Sequence, residues 1–428
     1  MKFTAVGDLL IQRKFAGFYD GFDGVKAYIS KGDFRFCNLE TTVNEENEVF
    51  ASQFSGGSWL RIEPKNIDYL DEYGFNAINC ANNHSMDFSY NGLIKTIENL
   101  KQRGYEAAGI GENMGRAAAP VYIDTPNGRA ALIAVNDLDA QPAAMAGEQS
   151  RRFAGRPGVN GLRVKRNFVV KPEHIAALRE IAKDTGVNVF NEIVRGEGYR
   201  PELPEGTVEF DTLIFREGEK AEIEYTLNAD DMARIEKSIY EAKLQADYIL
   251  ISIHSHNTVI KKDVPSPYLE EFARKCIDFG ADGVIGHGPH LLRGIEIYKG
   301  KPIFYSLGDF ILQNENIPIA PEDFFKNYGL NSDDTLHKLF DIRSNHFTRG
   351  LSCSKVMFET VIPYWEMEDG KLQSIELMPV SLTFDVPRSR YGMPKIDKNS
   401  GILERLTELS KPYGTNIEII NGLGHIKF

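Results

Sequence analysis

Five of the nine histidines in this 428-residue chain, His84, His254, His256, His287 and His290, follow directly on short apolar runs. Two carboxylates and an amide, Asp8, Glu40 and Asn83, stand in the same kind of place. Imidazole and oxygen donors together suit zinc, manganese or iron. They are also the donors of two-metal hydrolases, where ions about 3.5–4 Å apart clamp an oxyanion and activate a water. Two cations that close need a bridging carboxylate, and Glu40 is the candidate. The sharpest signal is GHGPH at Gly286–His290. Two histidines three apart can point the same way if Gly286 and Gly288 supply the backbone angles of a tight loop. In ANNHSMD at Ala81–Asp87, Asn83 can ligate through its side-chain oxygen. His84 beside it can protonate a leaving group.

Other residues carry two readings. Asp87 either orients His84 or caps the helix that starts near Tyr90. Asp8, after Gly7, is a ligand or an N-cap. Asn38 and Asn82 are candidates for holding ligands by hydrogen bonds or for meeting substrate. His254 is read as a ligand. His256 shares its face if the strand continues, and then binds metal or substrate; otherwise it faces solvent. Asp309 either accepts the second ring N–H of a ligating histidine or is a turn aspartate. His174, His337, His346 and His425 have no such neighbours and read as structural or surface residues.

Strand-like runs must position these groups: Phe3–Val6, Phe34–Cys37, Ala77–Cys80, Ala130–Val135, Tyr248–Ile253, Gly283–Ile285 and Ile303–Leu307. Helical spacing falls between several of them, at Pro64–Tyr73, Tyr90–Arg103, Ala229–Gln245 and Pro267–Phe279. Strand, polar loop, helix, strand is the rhythm of a layered α/β fold, in which ligands sit outside the carboxyl ends of the strands. Nearly every ionisable cluster falls at that edge. The rhythm breaks between about Gly147 and Asn228, which reads as an inserted β-rich subdomain. Its basic run Arg151–Arg166 is a solvated face or a clamp for an anionic substrate. Paired strands are expected within Val356–Thr383, a short helix at Ile402–Ser410, and a terminal hairpin. The domain reading is 1–146 with 229–384, an insertion at 147–228, and a C-terminal extension, 385–428, on the main domain.

A net charge of −12 argues against a nucleic-acid partner. The four cysteines form no CxxC pair and read as free thiols in a reducing compartment. The N-terminal apolar run is too short for a signal peptide, and no stretch approaches the ~18 apolar residues of a membrane helix. The expectation is a cytoplasmic protein with no membrane anchor in this chain; homo-oligomerisation stays open.

GDLL at 7–10, NLETTV at 38–43, ANNHSMDFSYNGL at 81–93 and the long run from Gly280 to Phe310 resemble the CapA-type family of capsule and poly-gamma-glutamate synthesis. That family is similar in fold to calcineurin-like metallophosphoesterases. The resemblance implies a four-layer α/β/β/α sandwich around a metal centre. It makes Asp8, Glu40, Asn83, His254, His287 and His290 ligands of one or two divalent transition-metal ions (Mn, Fe or Zn). His84 becomes the general acid, supported by Asp87. The implied activity is hydrolysis of a phosphoester or a gamma-glutamyl amide by metal-activated water, on an anionic small molecule or polymer. The alternative is a non-catalytic accessory protein that binds an anionic polymer. Leu10 stands where phosphoesterases carry a histidine, and His254-Ser255-His256 stands where the family commonly has HWG. A mononuclear centre, or His256 as the replacement ligand, therefore stays open.

Overall fold

Each of the seven apolar runs forms a strand over at least part of its length. The computed structural model describes residues 1–14, 19–138 and 141–428. It places the runs as β1 (Lys2–Leu10), β2 (Phe34–Leu39), β3 (Ala77–Asn79), β4 (Gly128–Asp137), β5 (Tyr248–His254), β6 (Gly283–His287) and β7 (Lys301–Phe304). Then come β8 (Asp309–Leu312), β9 (Glu359–Glu368) and β10 (Lys371–Leu382). The main helices are α1 (Phe22–Ile29), α2 (Ser89–Gln102), α3 (Ala229–Lys243), α4 (Pro267–Phe279) and α5 (Ile402–Ser410). The stretch 64–73 is not one helix. A 3₁₀ turn at Pro64–Asn66 is followed by a separate α-turn at Tyr69–Tyr73, ended by Gly74 at φ 73°. Ile67, at φ −85° and ψ 23°, leaves helical geometry between them.

Among the described residues, one ten-stranded sheet contains the order β10–β9–β1–β2–β3, with β8 also paired to β1. A seven-stranded sheet contains β4–β5–β6–β7, all parallel. Alternation of side chains along a strand decides what each face carries. Phe3 and Ala5 of β1, Phe34 and Phe36 of β2, and Ala77 of β3 share one core with Ala130, Leu132 and Ala134 of β4, Leu250 of β5 and Ile285 of β6. That core lies between the two sheets. Cys37, Leu39 and Ile78, on the opposite face, pack with Val25 and Ile29 of α1 and Leu93 and Leu100 of α2. On the other sheet α4 lies against β6. The chain is a mixed α/β protein with several sheets.

Chain contacts divide it into two units. One contains Met1–Leu162 and Asp230–Phe428, the other Arg163–Ala229. The smaller unit therefore begins later than the expected 147. The segment before it is held by pairing, Gly158–Val159 with Ile110–Gly111 and Gly161–Leu162 with β4. Nor is the smaller unit chiefly β. Its four-stranded sheet is accompanied by the helices Pro172–Thr185 and Val189–Gly196. Within the basic run, Arg151, Arg152 and Arg156 are exposed. In the larger unit, the hairpin Asn416–Ile420 and Leu423–Lys427 extends the ten-stranded sheet beside β10. The described cysteines are all free thiols, and Cys37, Cys80 and Cys276 are buried. No helix among the described residues is long and apolar enough to cross a membrane.

Candidate metal centre

Register assembles the site as two rows of polar residues. In the ten-stranded sheet Asp309 pairs with Asp8, Asp8 with Asn38, and Asn38 with Asn79. In the other sheet Asn136 pairs with His254, and His254 with His287. Asn38, Asn79, Asn136, His254 and His287 are each an even step along their strands from a residue of the inter-sheet core, so each faces inward. Asp8 is the exception that tests the rule, being three residues beyond Ala5. A register shift between Ala5 and Asp8 corrects its parity.

The rows meet between the sheets. Asn38 Nδ2 donates to Asp8 Oδ1 at 2.7 Å and lies 3.3 Å from His254 Nδ1. His287 Nδ1 is 2.9 Å from His254 Nδ1 and 3.5 Å from Asp8 Oδ1. The backbone N–H of Gly288 donates to Asp8 Oδ2 at 3.0 Å. His256 Nε2 is 3.0 Å from His254 Nε2, and its side chain keeps 37% exposure. His290 Nδ1 pairs with Asp309 Oδ1 at 2.8 Å. Gly288, at φ 117°, has the unusual backbone expected of it. Gly286 does not; what it contributes is space, since a Cβ there would lie 2.4 Å from the Tyr305 carbonyl oxygen. The second left-handed residue of GHGPH is His290 itself, at φ 60°.

His84 occupies one side of this cluster. Its Nδ1 is 2.6 Å from Asp87 Oδ2, and its Nε2 points toward Glu40 Oε1 at 3.8 Å. Asp87 also accepts from the N–H groups of Gly56, at 3.0 Å, and Leu60, at 2.7 Å. It does not cap α2, whose N-cap is Phe88 with no side-chain hydrogen bond. Asp8 is likewise no cap, because it lies within β1. Asn82 braces the turn. Its side chain donates to Asn38 Oδ1 and the Leu39 carbonyl, and accepts from the His84 N–H. Asn83 donates to the Gly56 carbonyl at 3.1 Å.

Burial dominates the electrostatics. It raises the Asp8 and Glu40 carboxyls well above the ordinary carboxylate range, and neighbouring acids raise them further. Asp309 is raised by burial too. His254 and His256 are pushed well below the usual imidazole value, and His287 and His290 down to about 3, again chiefly by burial. Neutral imidazoles crowded among carboxyls are a ligand set in need of cations. Among the described residues, both Glu40 oxygens, Asp309 Oδ2 and Asn83 Oδ1 are buried without a hydrogen-bond partner. Left so, each would cost about 1–3 kcal/mol. Three groups of residues bring ligand atoms within 4.8 Å of one another: Asp8, His254 and His287; Glu40, His254 and His256; Asp8, Glu40, His290 and Asp309. Asp8, Glu40 and His254 each belong to two groups. The residues present therefore fit divalent ions at neighbouring positions.

Asp8, Asn38, Glu40, Asn82, His84, Asp87, His254, His256, His287, His290 and Asp309 come to this one region, and Asn83 stands beside His84 in its turn, whereas Arg151, Arg152 and Arg156 of the basic run and His174, His337 and His346 are exposed. Several participants were missed. Asn79 and Ser252 hold His287 Nε2, at 3.4 and 2.7 Å. Ser252 was findable, being two residues before His254 on the same face. Gly56 was not. A Cβ there would lie 2.5 Å from His84 Nε2, and nothing local in FSGGSW announces it.

Comparison with known proteins adds a family. The family described as "Bacterial capsule synthesis protein PGA_cap" matches residues 2–314. "Uncharacterized protein y4sH" of Sinorhizobium fredii is 30% identical over 99% of this chain and 92% of its own length. "Capsule biosynthesis protein CapA" of Bacillus anthracis is 24% identical over 72% of this chain, which spans 59% of that protein. A solved structure, a hypothetical protein from Thermus thermophilus, aligns with 89% of this chain and 98% of that one. Its TM-score of 0.39 and 10% identity are too low to bear on the argument.

Proposed function

The chain belongs to the PGA_cap family of bacterial capsule synthesis proteins, and from that premise we propose that it is a metal-dependent hydrolase of metallophosphoesterase type. The observation that carries the reading is His84, fixed by Asp87 and aimed at a buried Glu40 whose two oxygens have no partner. A pocket that only bound metal would have no use for an oriented proton donor beside it. The two sheets sharing one core, with α1 and α2 outside one and α4 outside the other, support the four-layer α/β/β/α arrangement of such enzymes.

Asp8, Glu40, Asn83, His254, His287 and His290 would hold one or two divalent transition-metal ions, with His256 and Asp309 as further donors. Such ions would act as Lewis acids toward a phosphoryl or carbonyl oxygen and make water acidic enough to attack at neutral pH. Asn38, Asn79 and Ser252 fix the rings and carboxylates that bind them. Asp87 accepts from His84 Nδ1–H, so in the imidazolium form the proton to be delivered sits at Nε2, facing the cluster. From there His84 protonates the leaving oxygen of a phosphoester or the leaving nitrogen of a gamma-glutamyl amide. Gly56 keeps the space in front of that nitrogen clear.

Purified protein is expected to carry about one or two transition-metal ions per chain. It is expected to turn over within a panel of phosphoesters and gamma-glutamyl peptides. His84→Asn is expected to abolish turnover and keep the metal. Absence of metal even after reconstitution, or wild-type turnover by His84→Asn, would overturn the proposal. Metal binding with no turnover on any substrate would leave the accessory, polymer-binding reading in its place.

A further inference from the structure

Beyond the donor cluster, the loop after β5 and the segment after β6 each carry a nitrogen donor with no acceptor among the described residues. Arg293, three residues after His290, has no exposed surface. Its Nε donates to the Lys262 carbonyl at 3.1 Å and one Nη to the Asn257 carbonyl at 2.8 Å. Its other guanidinium nitrogen, Nη1, is buried with no partner, and so is Asn257 Nδ2. Lys262 is half-buried; its ammonium has no carboxylate within 4 Å among the described residues, and meets only Met357 Sδ at 4.0 Å. Asn257 directly follows His256, and the Arg293 guanidinium holds its carbonyl, so these donors stand next to the cluster. The Arg293 charge lowers Lys262, while Asp137 and Asp263 favour the charged Arg293. Buried N–H groups left without an acceptor, beside an ammonium with no carboxylate in reach, are costly unless an anion joins them.

We propose that Lys262, Arg293 and Asn257 form an anion subsite beside the metal centre, which takes an anionic oxygen group of the substrate away from the bond to be cleaved. The word substrate rests on the hydrolase reading; the binding claim does not. Arg293 also latches the 257–262 loop, so it shapes the subsite as well as lining it. The shared chemistry is a phosphate or carboxylate anion, and two titrations separate these sources.

Calorimetric binding of inorganic phosphate and of a gamma-glutamyl dipeptide is measured on the metal-containing protein. Wild type is expected to bind at least one of them. Lys262→Met is expected to weaken that binding by about tenfold with metal content unchanged, and Lys262→Arg to restore it. Arg293→Gln is expected to act the same way where it folds, and the half-exposed Lys262 decides the matter where it does not. Equal affinity of wild type and Lys262→Met in both titrations, or binding of neither anion by wild type, overturns the subsite. So does metal loss in parallel with the loss of affinity. A water bridging the donors would produce the first of these results. If the hydrolase reading alone fails, Lys262-dependent anion binding persists without turnover. If the subsite alone fails, Lys262→Met turns over with the wild-type KM.

Discussion

The His84 imidazole is confined on two sides. Asp87 holds Nδ1, and the bare Cα of Gly56 leaves room at Nε2. A methyl group at position 56 would overlap that nitrogen, at 2.5 Å. Gly56→Ala is therefore expected to displace the ring and lower kcat on the order of a hundredfold, because a misplacement of about 1 Å is enough for that. Steady-state kinetics with metal analysis checks it: metal content should stay at the wild-type level. Unchanged kcat would mean that His84 Nε2 does not act on the substrate. At this scale the sequence revealed the candidate groups, because a histidine or carboxylate declares its chemistry by type. It did not reveal Gly56, whose contribution is an absence of atoms next to a residue distant in the chain.

Strand ends do the positioning, and the element that does most is the turn after β6. There Gly288, at φ 117°, lies against the backbone of Ser255, and its N–H reaches Asp8. An added Cβ would approach the Ser255 nitrogen to 2.9 Å. Gly288→Ala is expected to cost more than about 1 kcal/mol from backbone strain alone. It is also expected to weaken metal retention, because His287 and His290 flank the turn. Urea unfolding with and without a chelator measures both. Equal unfolding midpoints for variant and wild type would show that the turn is not under this constraint. Elements were legible wherever apolar length and period were clear, as in β5 and α4. They were misread at 64–73, where Ile67, Leu70 and Tyr73 stand at helical spacing but the backbone breaks at Ile67. The glycine pair of GHGPH was read half correctly, since sequence does not distinguish a glycine kept for its angle from one kept for its size.

In the whole molecule, the smaller unit Arg163–Ala229 leaves and returns at neighbouring points. Val164 pairs with Leu227, and the Asn228 N–H donates to the Arg163 carbonyl at 3.0 Å. Its ends can thus be joined by a short glycine linker. Replacing 164–227 in this way is expected to leave a folded protein with its metal content retained, as followed by circular dichroism and metal analysis. Loss of cooperative unfolding would show that the larger unit depends on the smaller one. The sequence located a break in the α/β rhythm here. It placed the start too early because 147–162, poor in strand signals, is held by short pairings to residues far away in the chain.

The sequence by itself determined the candidate donor types, the strands that carry them, and the end of each strand at which they stand. Those are local matters, set by side-chain chemistry and by the period of apolar residues. Which residues would meet was decided only by the tertiary structure. Gly288 finds Asp8 across 280 positions, His254 finds Asn38 across 216, and the parity of Asp8 is set by a register shift in β1. Such contacts follow from which strands pair, in what register, and how two sheets face one another. These are consequences of burying one common core, and no window of sequence contains them.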